Sequence, residues 1–141
     1  MTSVTSVTKN SASSRTAEEQ RNLDHVLGLF RNVLQPLDPD QVDRYISPDY
    51  IQHSPMAAPG RESLKAFLKV VRAASPNSSQ RLLRAFVDGD HVIIHYHVKK
   101  SPEDLGFVVM DIFRLTNGMV VEHWDCVQDV PAHSPNPISM F

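Results

Sequence analysis

The hydrophobic pattern of this chain changes period near Pro76, and that change constrains the fold more than any other feature. Before Pro76, apolar residues recur at the spacing of amphipathic helices. After it they fall into short strand-like runs separated by turn residues. Thr16 followed by Glu19 is a capping box. Leu23, Val26, Leu27, Phe30, Val33 and Leu34 then form one stripe, predicting a first helix that runs to about Leu34 and stops before Pro36. Asp38 with Pro39 behind it predicts a short second helix ending near Ile46, where Ser47-Pro48 breaks it. Pro59-Gly60 opens a third helix with the stripe Leu64, Phe67, Leu68 and Val71. Residues 49–55 between them read as a short irregular or extended piece. Strands are predicted over residues 81–87, 91–99, 106–115 and 119–130, with turns at Asp88-Gly89-Asp90 and Asn117-Gly118.

Helices first and an antiparallel meander second is an α+β order. It predicts a cone-shaped, curved antiparallel sheet of about four main strands, covered by three N-terminal helices and enclosing an apolar pocket. Residues 1–15 are rich in Ser and Thr and have almost nothing to bury, so they are predicted to be a flexible arm. Residues 16–141 are then one domain, a size that supports one core. The net charge of -2 and the lack of a basic run argue against a nucleic-acid partner. No apolar run approaches the roughly 20 residues that cross a bilayer, so no membrane partner is expected. The single cysteine, Cys126, excludes an internal disulfide and suits a cytoplasmic setting.

Residues 110–125 carry the candidate chemistry. Asp111 sits between Met110 and Ile112, and Asp125 between Trp124 and Cys126. A carboxylate among apolar neighbours is costly to bury, and chains that accept the cost often use the group to move protons. Which acid faces inward depends on the hairpin. A two-residue Asn117-Gly118 turn sets Asp111 opposite Trp124 and turns Asp125 to the other face. A three-residue turn sets Asp111 opposite His123 and gathers Asp111, His123 and Asp125 on one face. The second register is favoured, because Gly118 suits its left-handed position; the first would leave Glu122 as the alternative acid. Symmetric pairing about Glu103 in the preceding hairpin sets His95 opposite Asp111. Arg114 and Glu122 read as a cross-strand ion pair, and Trp124 as packing at the sheet or a dimer interface. His95-x-His97 is a possible ligand pair, yet no pattern supports a metal site, and Cys126 has no partners for nucleophilic work.

The runs Tyr50-Ile51-Gln52-His53-Ser54-Pro55, Asp111-Ile112-Phe113-Arg114 and Glu122-His123-Trp124-Asp125, with Gln128 and a closing Met140-Phe141, resemble the SnoaL-like polyketide cyclase branch of the nuclear transport factor 2-like superfamily. The resemblance implies a cone-shaped α+β fold with a deep apolar cavity, a homodimer packed through the sheet, and no metal or organic cofactor. It implies acid/base chemistry of cyclase or isomerase type, such as intramolecular aldol condensation, on a small hydrophobic carbonyl compound of polyketide or terpenoid kind. Asp125 is then the expected general base. Asp111, His53 and His95 are its expected partners, and Tyr50, Phe113, His123 and Trp124 are expected to contact substrate. The rival reading is a non-catalytic pocket protein or a dimeric partner module.

Overall fold

Thr16 and Glu19 close the first helix reciprocally: Thr16 Oγ1 accepts from the Glu19 amide at 3.0 Å, and Glu19 Oε1 accepts from the Thr16 amide at 2.9 Å. In this computed structural model, which describes residues 14–141, the arm expected over 1–15 lies outside the described residues but for Ser14 and Arg15. Helix α1 spans Ala17–Leu29 and widens into one π-helical turn over Phe30–Leu34. Its stripe buries Val26, Leu29 and Val33 almost completely. Each such side chain contributes about 1.5–3 kcal/mol relative to an exposed one. The expected second helix is a 3-10 segment, Pro39–Arg44, capped by Asp38 Oδ1 on the Asp40 amide. It is shorter than predicted. Helix α2, Arg61–Ala74, starts after Gly60 at φ 95°. Only Leu68 of its stripe is fully buried. Leu64, Phe67 and Val71 instead roof a cavity.

The sheet has five strands, one more than expected: β1 Ile46–Gln52, β2 Ser79–Asp88, β3 His91–Lys99, β4 Phe107–Thr116 and β5 Met119–Asp129. Their spatial order is β1-β5-β4-β3-β2. β2 to β5 form the predicted antiparallel meander, and β1 adds a parallel edge beside β5. β1 takes up part of the extended piece expected over residues 49–55 and begins earlier, running through the Ser47-Pro48 expected only to end a helix; an edge strand tolerates that proline. Its register against β5 slips between Ile46 and Ile51.

Two registers decide which side chains face inward. Asn117 (φ 51°) and Gly118 (φ 75°) form a two-residue turn that pairs Thr116 with Met119, contrary to the favoured three-residue turn. Two successive positive φ values are what a type I′ turn requires, and Asn-Gly meets that need. A bulge then leaves Val121 without a partner, because Leu115 pairs with Val120 and Arg114 with Glu122. The bulge moves the register by one, so Asp111 lies directly opposite Asp125, and Phe113 opposite His123. Asp111, His123 and Asp125 therefore do share the inner face, by a turn plus a bulge rather than a longer turn. In the other hairpin, Ile94 rather than His95 opposes Asp111. The symmetry centre falls between Pro102 and Glu103, and that half-residue offset turns His95 outward and Tyr96 inward.

Candidate active site

The inner face of the sheet and the stripe of α2 enclose a cavity of about 180 Å³. Leu64, Phe67, Val71, Phe107, Val109 and Phe113 are among its apolar walls. Its polar groups gather where β1, β5, β4 and β3 lie side by side. Asp111, 3% exposed, is the most deeply buried acid there. Its Oδ1 lies 2.8 Å from His123 Nε2, and its Oδ2 accepts from the Tyr96 hydroxyl at 2.8 Å. His123 Nδ1 lies 2.6 Å from Gln52 Oε1. Asp125 faces the same cavity beside this chain of contacts and makes no hydrogen bond to any described residue.

Burial, and then the charge of Asp111, raise the Tyr96 hydroxyl's pKa well above 10, so it stays a neutral donor near pH 7. One oxygen of each acid and one His123 ring nitrogen fall within 4.8 Å of one another. Those three groups are the ones a cation would have to use. Nε2 and Oδ1 also lie at hydrogen-bond distance from each other, an arrangement that fits a shared proton. The site can therefore accept a proton at Asp125 and donate one from the Asp111–His123 side, in surroundings of low polarity where both steps are strongly felt.

The structure brings together Asp125, Asp111, His123, Tyr50 and Phe113 from the expected set. It does not bring in His53, His95 or Trp124. His53 lies on the outer face, 42% exposed, with Nε2 2.7 Å from Glu122 Oε2 and its ring stacked on Trp124 at 5.0 Å. It follows Gln52 on β1, so strand alternation turns it away from the cavity. Trp124 opposes Ile112 on that same outer face. Its ring lies between those of His53 and His91, where it serves packing. His95 accepts from Arg84 at 2.6 Å through Nδ1. Burial first, and then the Arg84 charge, lower its pKa, so it is held neutral. Glu122, the alternative acid, also faces outward and pairs with Arg114 at 2.8 Å, the cross-strand pair expected from the sequence.

Four polar residues of the cavity lining, Gln52, Ser54, Gln80 and Tyr96, were not among the expected site residues, and Gln52 and Tyr96 are the two that touch the His123–Asp111 pair. Gln52 stands two residues after Tyr50, which was expected in the pocket, so strand parity alone would have included it. Tyr96 stands between two histidines and shares its face with Ile94 and Val92, both fully buried. That alternation was the available signal.

The same architecture recurs in solved structures. A proposed SnoaL-like polyketide cyclase from Jannaschia sp. CCS1 is 22% identical, with a TM-score of 0.67 over 81% of this chain and 90% of that one. A proposed polyketide cyclase from Bacillus cereus ATCC 10987 is 18% identical, with a TM-score of 0.71 over 82% and 80%. An NTF2-like protein of unknown function from Mesorhizobium loti is 20% identical, with a TM-score of 0.66 over 81% and 96%. At such identities the likeness speaks for the fold alone. No curated protein matches the sequence. No described helix is long and apolar enough to cross a membrane. Residues 19–123 match the family described as SnoaL-like domain, well over half of the chain, and the protein belongs to that SnoaL-like family.

Proposed function

We propose that this protein is a cofactor-independent acid/base enzyme of cyclase or isomerase type. Its substrate is a small hydrophobic carbonyl compound with an acidic C–H bond, of polyketide or terpenoid kind. One observation carries the reading: Asp125, which no described residue hydrogen-bonds, faces an apolar cavity beside a buried Asp111 whose two oxygens each have a hydrogen-bond partner. Asp125 takes the C–H proton while the His123–Asp111 side donates a hydrogen bond to the forming enolate oxygen, so both govern C–H exchange. The enolate carbon attacks a second carbonyl of the same molecule, and the new alkoxide takes a proton from the His123–Asp111 side. One C–C bond forms, the carbonyl π bond breaks, and one proton enters the site as another leaves it. The apolar walls keep water away from the enolate.

The test needs no knowledge of the natural substrate. Small hydrophobic β-dicarbonyl compounds incubated with the protein in D₂O should lose their C–H signal faster than in buffer. Asp125→Asn keeps the shape and removes the base, so exchange should fall by about 10²–10⁴, the usual contribution of a placed acid/base group. Binding of these compounds without any accelerated exchange would favour the pocket-protein reading instead.

We also propose a homodimer through the outer face of the sheet. Phe86 is 54% exposed and Met110 43%, beside Trp124 and Ile112, and one helical layer covers only the inner face. Sedimentation velocity should show twice the chain mass of 15.8 kDa at micromolar concentration; a stable single chain would refute the dimer.

A further inference from the structure

The hydrogen bonds of Gln52 settle where protons sit in this site. A backbone N–H can only donate, and the Ser54 amide donates to Gln52 Oε1 at 3.0 Å. The Gln52 amide group donates on its other side, from Nε2 to the Tyr50 hydroxyl at 3.2 Å. A flipped amide would aim its NH₂ at the Ser54 N–H, donor against donor. The orientation of Gln52 is therefore fixed by the main chain rather than chosen. The same oxygen stands 2.6 Å from His123 Nδ1. Two acceptor atoms at that distance repel, so Nδ1 carries a hydrogen.

The other ring nitrogen follows. Nε2 and Asp111 Oδ1 are 2.8 Å apart, which again requires a proton between them. It belongs either to an imidazolium facing a carboxylate or to a protonated Asp111 facing a neutral imidazole. In both cases the couple is neutral and holds one proton more than the common pairing of a neutral Nε2–H imidazole with an ionised acid. That common pairing would leave Nδ1 as a bare acceptor against Gln52 Oε1. Tyr96 fills the second oxygen of Asp111, so the extra proton has one place to lie. The titratable groups facing the couple are Tyr50 on β1, Tyr96 on β3 and Asp125 on β5, and no Lys or Arg lines the cavity among the described residues.

We propose that Gln52, held by the Ser54 amide, is a positioning residue that fixes His123 as the Nδ1–H form and so keeps one transferable proton between His123 and Asp111, making that couple the site's acid. This rests on the acid/base reading above and divides its labour: a ring held this way offers no free lone pair, so His123 cannot be the base, and Asp125 must be. Proton balance closes over one ring closure. Asp125 gains the substrate C–H proton and the couple loses its shared proton to the alkoxide. Return of the proton from Asp125 to Asp111, directly opposite on the neighbouring strand, resets both.

The protonation of His123 is read directly by long-range ¹H–¹⁵N correlation on protein carrying ¹⁵N-histidine, near pH 7. The expected spectrum shows Nδ1 protonated. A neutral His123 with its hydrogen on Nε2 and a bare Nδ1 would overturn the proposal. Gln52→Leu should release the ring to the Nε2–H form and lower dicarbonyl C–H exchange by about tenfold or more, within the range of a general acid. Gln52→Glu keeps an acceptor in place and should retain Nδ1–H and most of the rate. An unchanged His123 spectrum in folded Gln52→Leu would refute the role of Gln52. Nδ1–H in a wild-type protein that exchanges no C–H proton would uphold this proton assignment while removing the catalytic reading, so the two fail separately.

Discussion

Strand β5 presents two histidine–carboxylate pairs on consecutive residues, one to each side of the sheet. Inside, His123 meets Asp111 at 2.8 Å with side chains 12% and 5% exposed. Outside, His53 meets Glu122 at 2.7 Å with side chains 42% and 16% exposed. The residue types and distances are nearly the same, so neither distinguishes the pairs. Their surroundings do. Glu122 also receives Arg114, and the His53 hydrogen bond first and Arg114 second hold its carboxyl below the ordinary value of 4.5. It stays ionised and has nothing to donate. Among the described residues Asp111 has no cation beside it other than the imidazole itself; its partners are a ring whose tautomer is constrained and a neutral phenol. A guanidinium compensates the outer acid, whereas the inner one lies among apolar walls where a misplaced proton is costly.

The comparison breaks most visibly on substitution of the histidines. His123→Ala should lower C–H exchange of the dicarbonyl probe by about 10²–10⁴, because it removes the proton carrier and leaves Asp111 buried without its partner. His53→Ala should leave exchange within about twofold, since its ring never reaches the cavity. Equal losses in the two variants, measured on folded protein, would show that the faces are not divided as described.

Much of this division was legible in the sequence, but not its finest step. Alternation marked the apolar row within each strand and Asn117-Gly118 marked the hairpin, but the assumed centre at Glu103 set Val92 and Ile94 on the face opposite Val109 and Phe113, whereas Val92 pairs with Phe113. The bulge at Val121 was not legible: Val120 and Val121 are equally suited to a strand, so nothing local says which of them loses its partner. A missed bulge turns every later side chain over, and the favoured register reached the right face only because its longer turn shifted the parity as the bulge does. The loop between β3 and β4 shows the opposite outcome. Lys100 donates through its amide to Asp104 Oδ2, and Gly106 takes φ 78°, so the loop is asymmetric and the assumed centre at Glu103 misplaced His95. β1 was obscured by Pro48, and with it went Gln52. Parity from Tyr50 alone would have recovered Gln52 and turned His53 outward.

The smallest effect sharpens the contrast through acid stability. Glu122→Gln should leave C–H exchange unchanged within about twofold, and should lower the melting temperature at pH 7 by no more than a few degrees, because solvent-side ion pairs contribute little. Its sign with pH follows from the direction of the shift. A carboxyl whose folded pKa lies below 4.5 stabilises the fold at pH values above its ordinary one, and that stabilisation fades as the pH falls through the folded value. The melting-temperature gap between wild type and Glu122→Gln should therefore be present at pH 7 and shrink below about pH 4.5. A gap that widens in acid would mean that Glu122 is protonated and donating in the folded protein. The outer pair would then share the proton behaviour assigned to the inner one, and exposure would no longer distinguish the two.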